Sequence, residues 1–431
     1  MSKDSKFLDV CIIGGGFTGM NLARILAEKK VISEIYTSGI GASQFWVGTV
    51  DFLNYNKEDL KHSFTEFKSN NLKHPYKRLE WDLINFSFKD FFLAFPNFEF
   101  FENNGDLSNR YVLTTLGNLK PCIGIWNTIF HNFDSLNNDS IVILVNFIEF
   151  NNSTMHLVEK SLKDNFPGKF FVLEVSFIKL VQDWDTNEQI SQLQGALTEI
   201  KIADFFDNNL EKIEIIADYI KSEVVKQLKN IQQNKIICYI FPPVLGIRKE
   251  QEIIKKLSKI LNAECKELVA ISPSIMSKRL NNEFENRLQK LDIGINKNLI
   301  LTNIKKIRDK GDITWELTFS DKKGNKETIK AKFVVLAIGT MFLEGIFSEL
   351  NDLKRIFNSF SISLPNSFSD SFELLFNSRD NQKTGIFACG SAIYLFVEGI
   401  TDNEEIKYGT GLGLSIATSA KVGEKILEYL K

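Results

Sequence analysis

The chain has 431 residues, long for one hydrophobic core, so two domains are expected. Its 52 Lys and Arg against 54 Asp and Glu leave a formal net charge of -2, which supplies no electrostatic reason for a nucleic-acid partner. The cysteines Cys11, Cys122, Cys238, Cys265 and Cys389 never stand as C-x-x-C, so the usual zinc and iron–sulfur spacings are missing and no metal site is expected.

The first element is an apolar run, Phe7 to Ile13, that fits a buried strand and ends in Gly14-Gly15-Gly16-Phe17-Thr18-Gly19. A helical pattern with Met20, Ala23, Leu26 and Ala27 on one face follows at once. Strand, G-x-G-x-x-G turn and helix is the arrangement that holds a pyrophosphate or phosphate at a helix N-terminus, so a nucleotide or flavin site is expected here. No signal-peptide core precedes this strand and no apolar run is long enough to span a bilayer, which points to a cytoplasmic protein.

Val31 to Thr37 reads as the second strand, ending Thr37-Ser38-Gly39. A fold that grips an adenosine ribose usually carries Asp or Glu at this tip, and Glu34 is too early to serve. Either a hydroxyl or backbone group holds the ribose, or the ligand has none in that place. Gly39 to Asp51 is small and glycine-spaced before it turns apolar, which suits close approach to a flat ligand at Gly39 and Ser43 and equally suits a connecting loop. Lys57 to Lys68 looks helical, His74-Pro75-Tyr76 is a turn, and Tyr111 to Pro121 is a hairpin around Leu116-Gly117-Asn118.

A second α/β pattern starts with strand Ser140–Val145, helix Met155–Asp164 and strand Phe170–Val175. Helical periodicity covers Glu188 to Lys229, and Lys235–Phe241 is a further strand. Pro273-Ser274 opens another helix, where Lys278 and Arg279 either receive an anion or are solvated bases on a surface helix. Short alternating strands at Leu299–Thr302, Thr314–Phe319 and Glu327–Val335 then lead into Leu336-Ala337-Ile338-Gly339-Thr340. A strand ending Ala388-Cys389-Gly390-Ser391 and a final helix opened by Gly409-Thr410-Gly411-Leu412-Gly413 close the chain.

Three returning glycine segments point to a two-domain flavoprotein: an α/β, Rossmann-like flavin-binding domain of the two-dinucleotide-binding-domain type with an inserted α/β unit. Residues 1–130 and 296–431 form the discontinuous flavin domain, and 131–295 the inserted substrate or cap domain. The expected cofactor contacts are Gly14, Gly15, Gly16, Phe17, Thr18, Gly19, Gly39, Ser43, Gly339, Thr340, Gly390, Ser391, Gly411 and Gly413. The amides opening the last helix would stabilise negative charge on a reduced flavin ring. No catalytic acid or base stands out, since His62, His74, His131 and His156 all fall away from the glycine turns.

The chain also resembles the B-subunit family of the anaerobic glycerol-3-phosphate dehydrogenases. The matching segments are Gly14 to Gly19; Thr37-x-Gly39-x-x-Ala42-x-x-Phe45-x-x-Gly48-Thr49-x-Asp51; His74-Pro75-Tyr76; Thr115-Leu116-Gly117; Pro273-Ser274-Ile275 with Arg279; Leu336-Ala337-x-Gly339; and Phe387-Ala388-x-Gly390-Ser391. The resemblance implies a flavoprotein that carries FMN, with FAD as the alternative, and that pairs with a catalytic FAD subunit and a membrane-anchored iron–sulfur subunit. Together such subunits oxidise sn-glycerol 3-phosphate to dihydroxyacetone phosphate and pass electrons to quinone, which would hold this chain at the inner membrane face through its partners. Arg279 becomes the candidate for binding a small phosphorylated substrate. Two other readings stay open: a stand-alone FAD-dependent reductase or monooxygenase, and a non-catalytic flavoprotein assembly subunit. The bulky Ile393 to Gly399 segment, where the family usually has a glycine-rich loop, motivates the second.

Overall fold

The computed structural model describes residues 6–39, 41–53, 59–150, 153–182, 197–229, 231, 235–309, 312–339, 367–375, 383–396 and 411–431. Its larger sheet joins segments from both ends of the chain. Five strands run parallel in the order Ile295–Lys297, Ser33–Thr37, Phe7–Ile13, Lys326–Leu336 and Ile386–Ala388. The strand Phe7–Ile13 is central, and Val10, Cys11 and Ile12 are wholly buried because both sheet faces are covered. The strand Lys326–Leu336 gives one edge to Phe7–Ile13 and divides its other. Its first half pairs antiparallel with the meander strand Asp312–Ser320, and Val334 to Leu336 pair with Ile386 to Ala388. The meander is completed by Ile300–Asp309. This is the α/β, Rossmann-like architecture expected from the glycine turns.

The first helix, Phe17–Glu28, and the C-terminal helix, Leu412–Leu430, pack side by side. A Cβ on Gly423 would stand 3.0 Å from Ile25 Cγ2, so a small residue there lets the two helices approach. The helix Trp81–Ala94 and a small sheet of Thr49–Val50, Gly124–Trp126 and Phe98–Phe100 cover the remaining side.

A second, fully parallel sheet has the order Lys169–Val175, Ile141–Phe147, Ile236–Phe241, Glu264–Glu267. Along Ile141–Phe147 the side chains alternate between two cores. Ile143 and Val145 join Phe206, Ile216 and Ile253, whereas Val142 and Leu144 join Val158 and Leu162. That double burial explains the unbroken apolar run in the sequence. The helix Ile275–Lys290, which by sequence falls within the inserted unit, sends Met276, Leu280, Phe284 and Leu288 into the larger core instead. Its Phe284 ring meets Phe17 edge-on at 5.1 Å. No described helix is long and apolar enough to cross a membrane.

Candidate functional site

The strand order reverses at Phe7–Ile13, with Ser33–Thr37 on one side and Lys326–Leu336 on the other. Such a switch point leaves a crevice beyond the carboxyl ends of the strands. A cavity of about 410 Å³ lies there. Its floor is the contact between two turns: Gly14 N donates to Tyr36 O at 2.9 Å, and Ala337 N donates to Ile13 O at 2.8 Å. Gly14 has φ +117°, and a Cβ on it would fall 2.2 Å from Ala337 O, so only glycine satisfies both the conformation and the approach.

Two helices begin at this cavity. Gly16 precedes the first helix and Gly411 the last, and neither helix has a side-chain cap or an acidic residue in its first turn. Thr18 Oγ1 donates to Ser415 Oγ at 2.8 Å and ties the two helix starts together. Gly413 N is spent on Asp51 O at 3.1 Å, which fixes Asp51 against the last helix. Uncapped amides at the positive ends of two helix dipoles favour an anion, a phosphate above all. The walls add flat or apolar surface from Ile13, Tyr36, Phe45, Trp46, Leu301 and Ile338.

One polar cluster stands at the end of the cavity nearest the last helix. Lys120 Nζ donates to Asp51 Oδ2 at 2.8 Å and to Thr49 Oγ1 at 2.7 Å. Asp51 Oδ1 is buried with no hydrogen-bond partner among the described residues, and so are the hydroxyls of Tyr76 and Tyr394. Burial pushes both phenols well above their ordinary range, so they stay protonated donors. At the second-strand tip, Thr37 Oγ1 donates to Gly39 O at 2.6 Å. Glu34 is held away from the cavity by Lys6 at 2.5 Å and by Asn296 at 3.1 Å. The second strand therefore offers no free carboxylate to a ribose.

Of the residues expected from sequence, Gly14, Gly15, Gly16, Phe17, Thr18, Gly39, Ser43, Gly339, Ser391 and Gly411 line this cavity. Gly19, Gly390 and Gly413 do not, and their smallness serves packing. A Cβ would meet Gly14 O at 2.0 Å, Thr18 Oγ1 at 2.4 Å and Asp51 O at 2.4 Å, respectively. Thr340, Gly409 and Thr410 lie outside the described residues.

Arg279 is a correction. Its side chain is wholly buried and away from the cavity. Nε and Nη2 donate to Gly246 O at 2.8 and 2.6 Å, and Nη1 to Glu267 Oε2 at 2.6 Å. Burial alone would push the guanidinium pKa down, but Glu267 outweighs it and the net shift is up, so the group holds its charge inside the protein. It is a structural cation, not a substrate ligand. Lys120, absent from the sequence expectations, is the cation that does approach the cavity through Asp51. No local pattern marks it, because Thr49 is 71 residues away.

No protein-family model matches the chain. Among curated proteins it is similar to two that are named as the B-subunit of anaerobic glycerol-3-phosphate dehydrogenase, from Actinobacillus pleuropneumoniae serotype 5b and from Mannheimia succiniciproducens. Each is 20% identical, over 442 and 457 residues respectively, covering 97% of this chain and 98% of the relative. Among solved structures it is similar to Thermovibrio ammonificans THI4, with a TM-score of 0.36 and 10% identity over 98% of this chain and 90% of that one. The 3-ketosteroid delta1-dehydrogenase of Sterolibacterium denitrificans gives a TM-score of 0.33 and 12% identity over 86% of this chain and 52% of that one. At such scores the fold is assigned from the sheet order and the glycine turns. What these comparisons establish is a distant, nearly full-length similarity of this α/β chain to the B-subunits of anaerobic glycerol-3-phosphate dehydrogenases.

Proposed function

We propose that the chain is a flavin-dependent oxidoreductase subunit of the anaerobic glycerol-3-phosphate dehydrogenase type. The observation that carries the reading is the convergence of two uncapped helix starts on one cavity at the switch point. A flat aromatic ring bearing a phosphate fits that cavity: amides of Gly16 to Thr18 face the phosphate, and Gly339, Ser391 and Gly411 border the ring. When bound, the flavin supplies a two-electron acceptor.

Asp51 and Lys120 supply what the chain itself adds. Asp51 Oδ1, buried and unpartnered, would accept a hydrogen bond from a substrate hydroxyl and take up its proton. Lys120 holds Oδ2 and so fixes the carboxylate. The substrate would be a small phosphorylated alcohol, sn-glycerol 3-phosphate by similarity. Electrons would leave through a catalytic FAD subunit and a membrane-anchored iron–sulfur subunit. The nearly full-length similarity to the curated relatives supports these assignments.

The test is spectroscopic. Protein incubated with FMN and with FAD, then desalted, should retain a yellow chromophore that bleaches on anaerobic addition of dithionite and, with its partners present, of glycerol 3-phosphate. Colourless protein after both incubations sinks the proposal. A coloured protein whose Asp51→Asn variant binds and oxidises the alcohol like wild type removes Asp51 from the site.

A further inference from the structure

A second cavity, of about 560 Å³, adjoins the first. The two share Gly15, Thr37 and Gly39, so they meet at the glycine turn and the tip of the second strand. The rest of the second cavity is chemically different. Asn281, Asn282 and Asn298 bring three amides to it, and Arg248, Lys278 and Lys297 bring three cations. Lys297 is neutralised by Glu285 at 2.7 Å, and Arg248 lies 3.6 Å from the buried carboxylate of Asp207. Lys278 is exposed and has no ion pair among the described residues. Asn281 Oδ1 is buried and accepts no hydrogen bond from them.

A buried amide oxygen left without a donor is costly, and native structures rarely tolerate one unless a ligand or water completes it. Thr37 Oγ1, already spent on Gly39 O, is not the missing ribose contact. Amide side chains pair donor with acceptor and match the N6 and N7 edge of adenine. The lysine without a counter-ion suits a phosphate.

We propose that this second cavity binds an adenosine phosphate, with Asn281 Oδ1 accepting from the nucleoside and Lys278 offsetting the phosphate charge. The moiety is the nucleotide half of FAD, reaching across Gly15 from a flavin in the first cavity, or a free adenine nucleotide of the same chemistry. The inference rests on the flavin reading for the first source and selects FAD over FMN there. FMN, ending at its single phosphate, would leave Asn281 Oδ1 unsatisfied.

Calorimetric titration of the full chain with FMN, FAD and ADP tests this, on wild type, Asn281→Leu and Lys278→Glu. The Asn281→Asp variant, which keeps an acceptor oxygen, guards against a general loss of structure. Wild type should bind FAD at least about tenfold more tightly than FMN, the value of one or two added hydrogen bonds. Asn281→Leu and Lys278→Glu should each weaken FAD and ADP by roughly five- to tenfold, leave FMN unchanged, and Asn281→Asp should retain adenosine binding. ADP that binds only in competition with FAD identifies the cofactor's own nucleotide, and ADP that binds beside saturating FAD identifies a free one. FAD and ADP affinities unmoved by both variants overturn the inference, as does a wild type that binds FMN and FAD equally and ignores ADP. If neither flavin binds, the flavin reading fails, and the ADP titration still decides the cavity: no ADP binding overturns it, and binding weakened by Asn281→Leu upholds it.

Discussion

Removing the guanidinium of Arg279 should damage the fold and spare the cavity. Arg279→Ala deletes the donors to Gly246 O at 2.8 and 2.6 Å and to Glu267 Oε2 at 2.6 Å. It leaves a wholly buried carboxylate with only Leu245 N, at 2.8 Å, and no cation. Breaking one partner of a buried pair costs about 3–5 kcal/mol. Typical domains are stable by about 5–15 kcal/mol, so much of the margin would go. Replacing both members, Arg279→Met with Glu267→Leu, removes the uncompensated charge and should cost less than the sum of the two single changes. Urea unfolding followed by tryptophan fluorescence reads wild type and every variant, since Trp126 lies in the larger core. A loss below about 1 kcal/mol for Arg279→Ala would refute the buried-pair account. A stable variant with weakened binding of a phosphorylated substrate would return Arg279 to the site.

Two other outcomes follow from local chemistry. Glu199, whose Oε2 accepts from Ile275 N at 3.4 Å, has its carboxyl pushed up to about 7, chiefly by burial. Its folded-state value exceeds the unfolded one, so stability falls as pH rises between about 4.5 and 7, by up to about 3 kcal/mol, and is level above that. Glu199→Gln should flatten this part of a pH series of unfolding midpoints; an unchanged slope would show that another group is responsible. Gly14→Ala combines a strained φ with a Cβ 2.2 Å from backbone oxygen and should cost about 2–5 kcal/mol and abolish flavin retention, and a variant that keeps both would dismantle the described floor of the cavity.

The parts of the site legible in the sequence are those made by local rules. A strand, three glycines and a helix occupy consecutive positions, and the returning segments at Gly339 and Gly390 announce themselves by the same alternation of apolar strand and glycine. Cysteines read as filler are buried, with thiols pushed up by desolvation. What escapes has no local signature. Ile295–Lys297 is a three-residue edge strand, too short to show a period. Phe98–Phe100 and Gly124–Trp126 take their strand character only from pairing with each other. Arg279 reads as a solvated or anion-binding base because its neighbours on the helix are polar, while the carboxylate that claims it sits on a separate strand. The Asp51–Lys120 pair is made by tertiary structure alone.

The division of Lys326–Leu336 between two neighbours also sets the order in which the protein can be completed during synthesis. Phe7–Ile13 finds Ser33–Thr37 early, but its other edge stays open until residue 330 has been made. At about 5–20 residues per second, some 300 residues take about 15–60 s. The four-stranded sheet, whose strands lie between residues 141 and 267, needs no such wait, because its partners are all in hand by then. For that interval the glycine turn has no floor, since Ala337 has yet to arrive to donate to Ile13. A nascent chain therefore acquires its smaller core first and its phosphate-binding turn last, so a ligand that needs the finished turn can act only on a protein already released or nearly so.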